Sequence, residues 1–143
     1  MLFRSTLSAS ESIILQGGID PNLSILVLLR GKRTVEISAE AFSQHEQIFE
    51  RSLASVMRGS ILDALSSNGM AVAAATDDQE ALRICNLSIA SGAIAAGISG
   101  SGPSIAIVCF QDDSTSLSKL FSESGLGVIS TGIYVKDEIS EVQ

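Results

Sequence analysis

The chain has 143 residues, 45% of them hydrophobic and 17% charged, which suits one domain with a substantial core and excludes a disordered chain. Its net charge of -7, from 16 acidic and 9 basic residues, argues against nucleic acid as a partner, because binding phosphate backbones requires clustered Lys and Arg. No apolar run, Met70 to Ala75 included, approaches the roughly 20 residues that span a bilayer, so no membrane role is expected.

Met1 to Ser8 carries a single Arg with no apolar segment behind it, so a secretion signal is not expected. Residues 1–22 are Ser-rich and weakly periodic and end in the turn signal Gly17-Gly18-Ile19-Asp20-Pro21-Asn22. They read as a connection or edge segment, with the domain proper in residues 23–143. Leu23 to Leu29 is a short, largely apolar run that suits a strand covered on both faces.

Three helical segments are predicted next. Ser38 can cap the first, with Glu40 in its first turn and Phe42, Phe49, Leu53 and Val56 as an apolar stripe. After Arg58-Gly59, Ser60 can cap a second helix, on which Ile61, Leu65, Asn68, Val72 and Ala75 share one face. Asp77-Asp78-Gln79-Glu80 resembles a capping box opening a third, with Leu82, Cys85 and Ile89 inward. Gly92 to Ile98 and Ser104 to Phe110 read as strands around a tight loop. Asp112 or Asp113 can cap a last helix carrying Leu117, Leu120 and Phe121, stopped by Gly125. Gly127 to Val135 makes a final strand, and the charged tail from Lys136 is expected to be loose. Cys85 and Cys109 lie in apolar segments without a second Cys or His nearby, as reduced core residues of a cytoplasmic protein would. The order strand, helices, strand, strand, helix, strand predicts an α+β fold, a ferredoxin-like split β-α-β sandwich with extra helices after its first strand.

The segment Gly97-Ile98-Ser99-Gly100-Ser101-Gly102-Pro103-Ser104 packs three glycines and three serines into eight positions. Such a backbone can adopt positive φ, approach a ligand closely and aim N–H groups at an anion, and Pro103 stiffens its exit. The same composition also suits a plain hairpin turn. No Gly-Lys-Ser/Thr follows, so it is not a P-loop, and its glycine spacing is not that of a dinucleotide fingerprint.

This strand, loop and strand resemble the third conserved motif of the GHMP kinases. Gly92 to Ser104 is similar to the archaeal shikimate kinase form in particular. Leu65-Ser66-Ser67-Asn68-Gly69-Met70 and Ile25 to Leu29 are similar to that subfamily's helix segment and opening strand. The resemblance implies a GHMP kinase C-terminal domain in an ATP- and Mg2+-dependent enzyme that phosphorylates shikimate. The family's ATP-phosphate loop, catalytic Asp and magnesium ligands belong to an N-terminal lobe, and no such loop occurs in this sequence. Both cofactors would therefore be held mainly by that lobe, and the chain alone would be inactive. Its partner would be that lobe or a second copy of itself. No catalytic residue and no metal ligand is expected on this chain.

By the same resemblance, Ser99, Gly100, Ser101, Gly102, Pro103 and Ser104 support the ATP-phosphate loop by positioning and backbone dipoles. Asn68 is either a buried amide bonded to nearby backbone or a partner for acceptor hydroxyls. Gly69 weakens a helix, so close approach of another element is expected there. Arg30, Lys32 and Arg33 form a basic cluster that is either a solvated turn or, through Arg30, a fork for the acceptor carboxylate; Arg58 is the other candidate. His45 reads as a surface residue, with no hydrolase triad around it.

Overall fold

The computed structural model describes residues 2–4, 13–16, 19–32 and 36–133. The expectations for Arg33, for the tail from Lys136 and for most of residues 1–18 lie outside the described residues. Two short strands, β1 (Leu2–Arg4) and β2 (Ile13–Gln16), pair antiparallel with each other in the segment read as a connection. The remaining elements are β3 (Leu23–Leu29), α1 (Ala39–Ser43), α2 (Glu46–Met57), α3 (Ile61–Ala75), α4 (Gln79–Ala90), β4 (Ala95–Ile98), β5 (Ile105–Phe110), α5 (Gln111–Glu123) and β6 (Gly127–Gly132).

The last four strands form one antiparallel sheet in the order β4-β5-β3-β6. β5 lies between β3 and β4, and β3 lies between β5 and β6, so two split β-α-β units interlock. This is the ferredoxin-like arrangement expected from the element order.

Side-chain alternation along the strands divides the sheet. Leu26 and Leu28 of β3 join Ile105, Ile107 and Cys109 of β5 on one face, closed by Ala81, Ile84 and Cys85 of α4 and by Leu117 and Phe121 of α5. On the other face Leu23, Ala95 and Val108 are buried against Leu62 and Leu65 of α3. Farther along that face the cover stops: Leu29, Phe110 and Ile129 are 45%, 54% and 51% exposed. Cys85 and Cys109 are free and buried, as expected for core thiols.

Several boundaries differ from the sequence reading. The first predicted helix is two, broken at Gln44 and His45, and the Phe42 and Phe49 rings stack across the break at 5.5 Å. Leu53, placed in the apolar stripe, is 60% exposed. On α4 the inward set is Ala81, Ile84, Cys85 and Ser88, while Ile89 is exposed. Ser88 tolerates burial because its hydroxyl donates to Ile84 O at 2.7 Å. Strand β4 starts at Ala95 rather than Gly92, because Gly92 has φ +105 in the turn after α4. Asp112 and Asp113 lie inside the first turn of α5 instead of capping it; Phe110 is the capping position. Carboxylates in a first turn still favour the positive end of the helix dipole. The helix ends where expected, at Gly125 with φ +84.

Candidate functional site

Strands β4 and β5 are joined by the glycine loop. Ser99 N donates to Ser104 O at 2.8 Å and closes the hairpin; inside it Gly102 N donates to Ser99 O at 3.0 Å. Gly100 and Gly102 hold the turn with φ +61 and +85, a region that side chains disfavour. The loop is thus the tight turn its composition predicts, and its position decides whether it is more than that.

That position is set by two other glycines. A side-chain carbon on Gly69 of α3 would meet the α-carbon of Gly97 and lie 2.7 Å from Ile98 N. One on Gly97 would lie 2.6 Å from Leu65 O. Helix and strand therefore touch backbone to backbone, the close approach that Gly69 signalled. Ser66 reinforces the contact by accepting a hydrogen bond from Ala96 N at 3.2 Å through its hydroxyl.

The result is a cleft of about 380 Å³ between α2, α3 and the loop. Asn68, Ser99 and Gly100 line it from α3 and the loop, and Ser52, Phe49 and Val56 from α2. Asn68 is exposed rather than buried, so its amide faces the cleft without needing an internal partner. Ser52 was not singled out in the sequence. Its hydroxyl donates to Ile48 O at 2.9 Å and lies 2.7 Å from Ser67 Oγ, which joins α2 to α3. The available signal was a small polar residue four positions from both Ile48 and Val56, on the apolar side of α2. Among the described residues the cleft wall carries no charged side chain, so on this chain it can offer hydroxyls, an amide and backbone dipoles but no counter-ion.

The basic candidates lie elsewhere. Arg30 was expected to take either a solvated position or the acceptor carboxylate, and its geometry fits neither. Its side chain is 10% exposed, and its two terminal nitrogens donate to the two Asp78 oxygens at 2.7 and 2.8 Å. It also donates to Glu80 at 2.7 Å and to Pro103 O at 3.2 Å. The carboxylate it forks is the chain's own. Asp78 at the same time caps α4 by accepting from Ala81 N at 2.9 Å. Hydrogen bonds from Arg30 hold the Asp78 carboxyl below its usual range, against the opposing effect of burial. Arg58 is exposed at the end of α2, where it donates to Ser55 Oγ at 3.3 Å, and is not part of the cleft wall. His45 is half-buried at the capping position of α2, and its carbonyl accepts from Ile48 N and Phe49 N.

Pro103 and Ser104 contribute through their carbonyls, which accept from Arg30 and Ser99. Ser101 is exposed at the loop tip. Among the described residues no group of His, Cys, Asp and Glu could hold a metal ion, and no helix is long and apolar enough to cross a membrane.

Neither a protein-family model nor a curated protein matches the sequence. Solved structures do match the fold. A phosphotransferase related to the CoA biosynthesis pathway superposes with a TM-score of 0.68 at 12% identity, over 87% of this chain and 42% of that one. Mevalonate pyrophosphate decarboxylase from Streptococcus pyogenes gives 0.59 at 14%, over 89% and 49%. Mevalonate kinase from methicillin-resistant Staphylococcus aureus gives 0.57 at 14%, over 78% and 42%. The chain spans less than half the length of each of these proteins. In architecture it is an α+β sandwich with a four-stranded antiparallel sheet, a fold that it shares with part of each of these proteins.

Proposed function

We propose that this chain is the C-terminal lobe of a GHMP-type small-molecule kinase, with residues 23–143 as the lobe and the segment before them as its connection to an N-terminal lobe. The observation that carries the reading is the placement of the glycine loop. It forms one wall of a cleft beside Asn68, held there by the Gly69–Gly97 contact. The match in fold to kinases of about twice the length supports the same reading.

In this role the chain binds and orients rather than carrying out the chemistry. Gly100 and Ser99 present backbone to the reacting end of the cleft, where fixed dipoles favour developing negative charge. Asn68 and the apolar wall from α2 hold the acceptor alcohol. Among the described residues no group fits a magnesium site, and none is placed as a general base. Mg2+, most of the ATP site and the base would come from the N-terminal lobe, and ATP would supply the transferred phosphoryl group.

For the acceptor we propose shikimate, on the similarity of residues 92–104 and 65–70 to the archaeal shikimate kinase segments. Since Arg30 is engaged with Asp78 and Arg58 lies outside the cleft wall, the shikimate carboxylate would find its counter-ion on the other lobe. One rival keeps the lobe and changes the acceptor to the mevalonate or homoserine type, on the fold match to mevalonate kinase. These acceptors also carry a carboxylate, so the uncharged wall does not choose between them and shikimate. A regulatory ferredoxin-like domain without chemistry would be expected to seal its sheet face, and Leu29, Phe110 and Ile129 leave that face open.

The test is ATP-dependent phosphorylation of shikimate by this chain alone and by this chain mixed with a GHMP N-terminal lobe from the same genome. Turnover in the mixture only supports the proposal. Turnover by the chain alone overturns the assignment of the base to another lobe. If mevalonate or homoserine is phosphorylated in place of shikimate, the acceptor is corrected and the lobe assignment stands.

A further inference from the structure

A single guanidinium joins three segments that are far apart in sequence. Arg30 follows directly on β3, Asp78 caps α4, and Pro103 is the exit of the glycine loop. The Arg30 fork closes on both Asp78 oxygens, and the same Nη1 that donates to Asp78 also reaches the Pro103 carbonyl. Glu80 supplies a further bond from the solvent side, where its own side chain is 66% exposed.

We infer that Arg30 is a positioning residue for the glycine loop, a buried bracket that fixes the loop's exit relative to the capped end of α4. Three features support this. The loop's entry is already fixed, because Gly97 is pressed against Gly69 and Leu65. Its neck is closed by Ser99 N on Ser104 O, so the Pro103 carbonyl is where an outside group can set the tilt of the hairpin. The fork geometry is also specific to Arg: a lysine ammonium is a single point and cannot hold both Asp78 oxygens and the carbonyl in fixed directions. Among the described residues Arg30 Nε is buried with no hydrogen-bond partner. A buried donor left unpaired is unfavourable, and here it accompanies a fork whose other two nitrogens are fully engaged.

The inference refines the site described above, but its test does not depend on any kinase activity. The chain is labelled with 15N-glycine, and Gly97, Gly100 and Gly102 report on the loop while Gly92, Gly125 and Gly132 serve as remote references. Arg30→Lys keeps the charge and most of the stem, and Glu80→Gln removes only the exposed partner. Arg30→Lys is expected to shift the Gly100 and Gly102 signals and to raise hydrogen exchange at the Gly102 amide by about tenfold, the loss of one charge-assisted bond. The reference glycines and the loop signals of Glu80→Gln are expected to stay as in the wild type. Loop signals unchanged in Arg30→Lys would overturn the inference. So would equal shifts at all six glycines, because the fork would then shape the domain throughout and would not position the loop in particular. Should Arg30→Lys fail to fold, Asp78→Asn, which retains a capping oxygen for Ala81 N, is read in the same way. Loss of folding in both variants would also overturn the inference, by making the fork a requirement of the fold rather than of the loop.

Discussion

Replacing Gly69 by Ala tests the contact on which the cleft depends. The added methyl would lie 2.7 Å from Ile98 N and 2.8 Å from the Gly97 carbonyl carbon, with the Gly97 α-carbon closer still. All three are backbone atoms of a strand paired in the sheet, so no flexible side chain can give way. Helix α3 must recede by about 1 Å before ordinary contact distances return. Overpacking of this kind costs about 1–3 kcal/mol, and the rigid neighbours place this case at the upper end. Against it stands the gain of about 1 kcal/mol when Ala replaces Gly in a helix. The net expectation is a loss of about 2 kcal/mol, or about 5 °C in melting temperature for a chain of this size. Urea unfolding followed by circular dichroism measures it, with Gly132→Ala as the control, since nothing lies within 4 Å of a side-chain carbon there. A Gly69→Ala protein as stable as the wild type would refute the backbone contact between α3 and β4, and with it the reason Asn68 stands beside the loop.

Other outcomes follow from the same structure. Asp78 titrates below its ordinary value because Arg30 hydrogen-bonds its charged form. The unfolded carboxylate therefore takes up a proton first as pH falls. Stability from the pair is complete above about pH 5 and declines as pH drops from about 3.9 through the lower folded value. Urea midpoints at neutral and acid pH should show this component in the wild type and lack it in Asp78→Asn. Burial pushes the Cys85 thiol up to about 11 and also raises that of Cys109. Neither should react with a thiol reagent at pH 8 until denaturant is added, and rapid labelling of the native chain would contradict the core described here. Asn68→Ala, at an exposed helix position, should change stability by no more than about 0.5 kcal/mol. In the two-lobe mixture it should lower acceptor kcat/KM about tenfold or more, and unaltered kinetics would remove Asn68 from the site.

Much of the fold was legible because its signals are local. The element order gave the split β-α-β topology, Gly125 stopped α5, and the composition of residues 97–104 gave a tight turn between two strands. Gly69 announced a close approach, although nothing in the sequence named Gly97 as its partner. The readings that failed required long-range knowledge. Nothing near Gln44 and His45 breaks a helix by propensity; the break accompanies the stacking of Phe42 on Phe49. Ile89 fits an inward spacing as well as Ile84 does, and only the position of the sheet chooses between them. Asn68 shares a helical face with apolar residues, yet that face runs out over the cleft before it reaches the core. Arg30 carried no hint that its carboxylate lay on this chain, 48 residues away.

Those separations also bear on the order of events in folding. The Arg30 bonds span 48, 50 and 73 residues, so none can form until β3, the start of α4 and the β4–β5 hairpin are already in place. Contacts of such long range are made late, after most of the loop-closure entropy has been spent. Loosening the fork should therefore leave the refolding rate of the chain nearly unchanged and speed its unfolding. On that account Arg30 acts as a latch on the assembled domain and extends the lifetime of the native state, while contributing little to how quickly that state is reached.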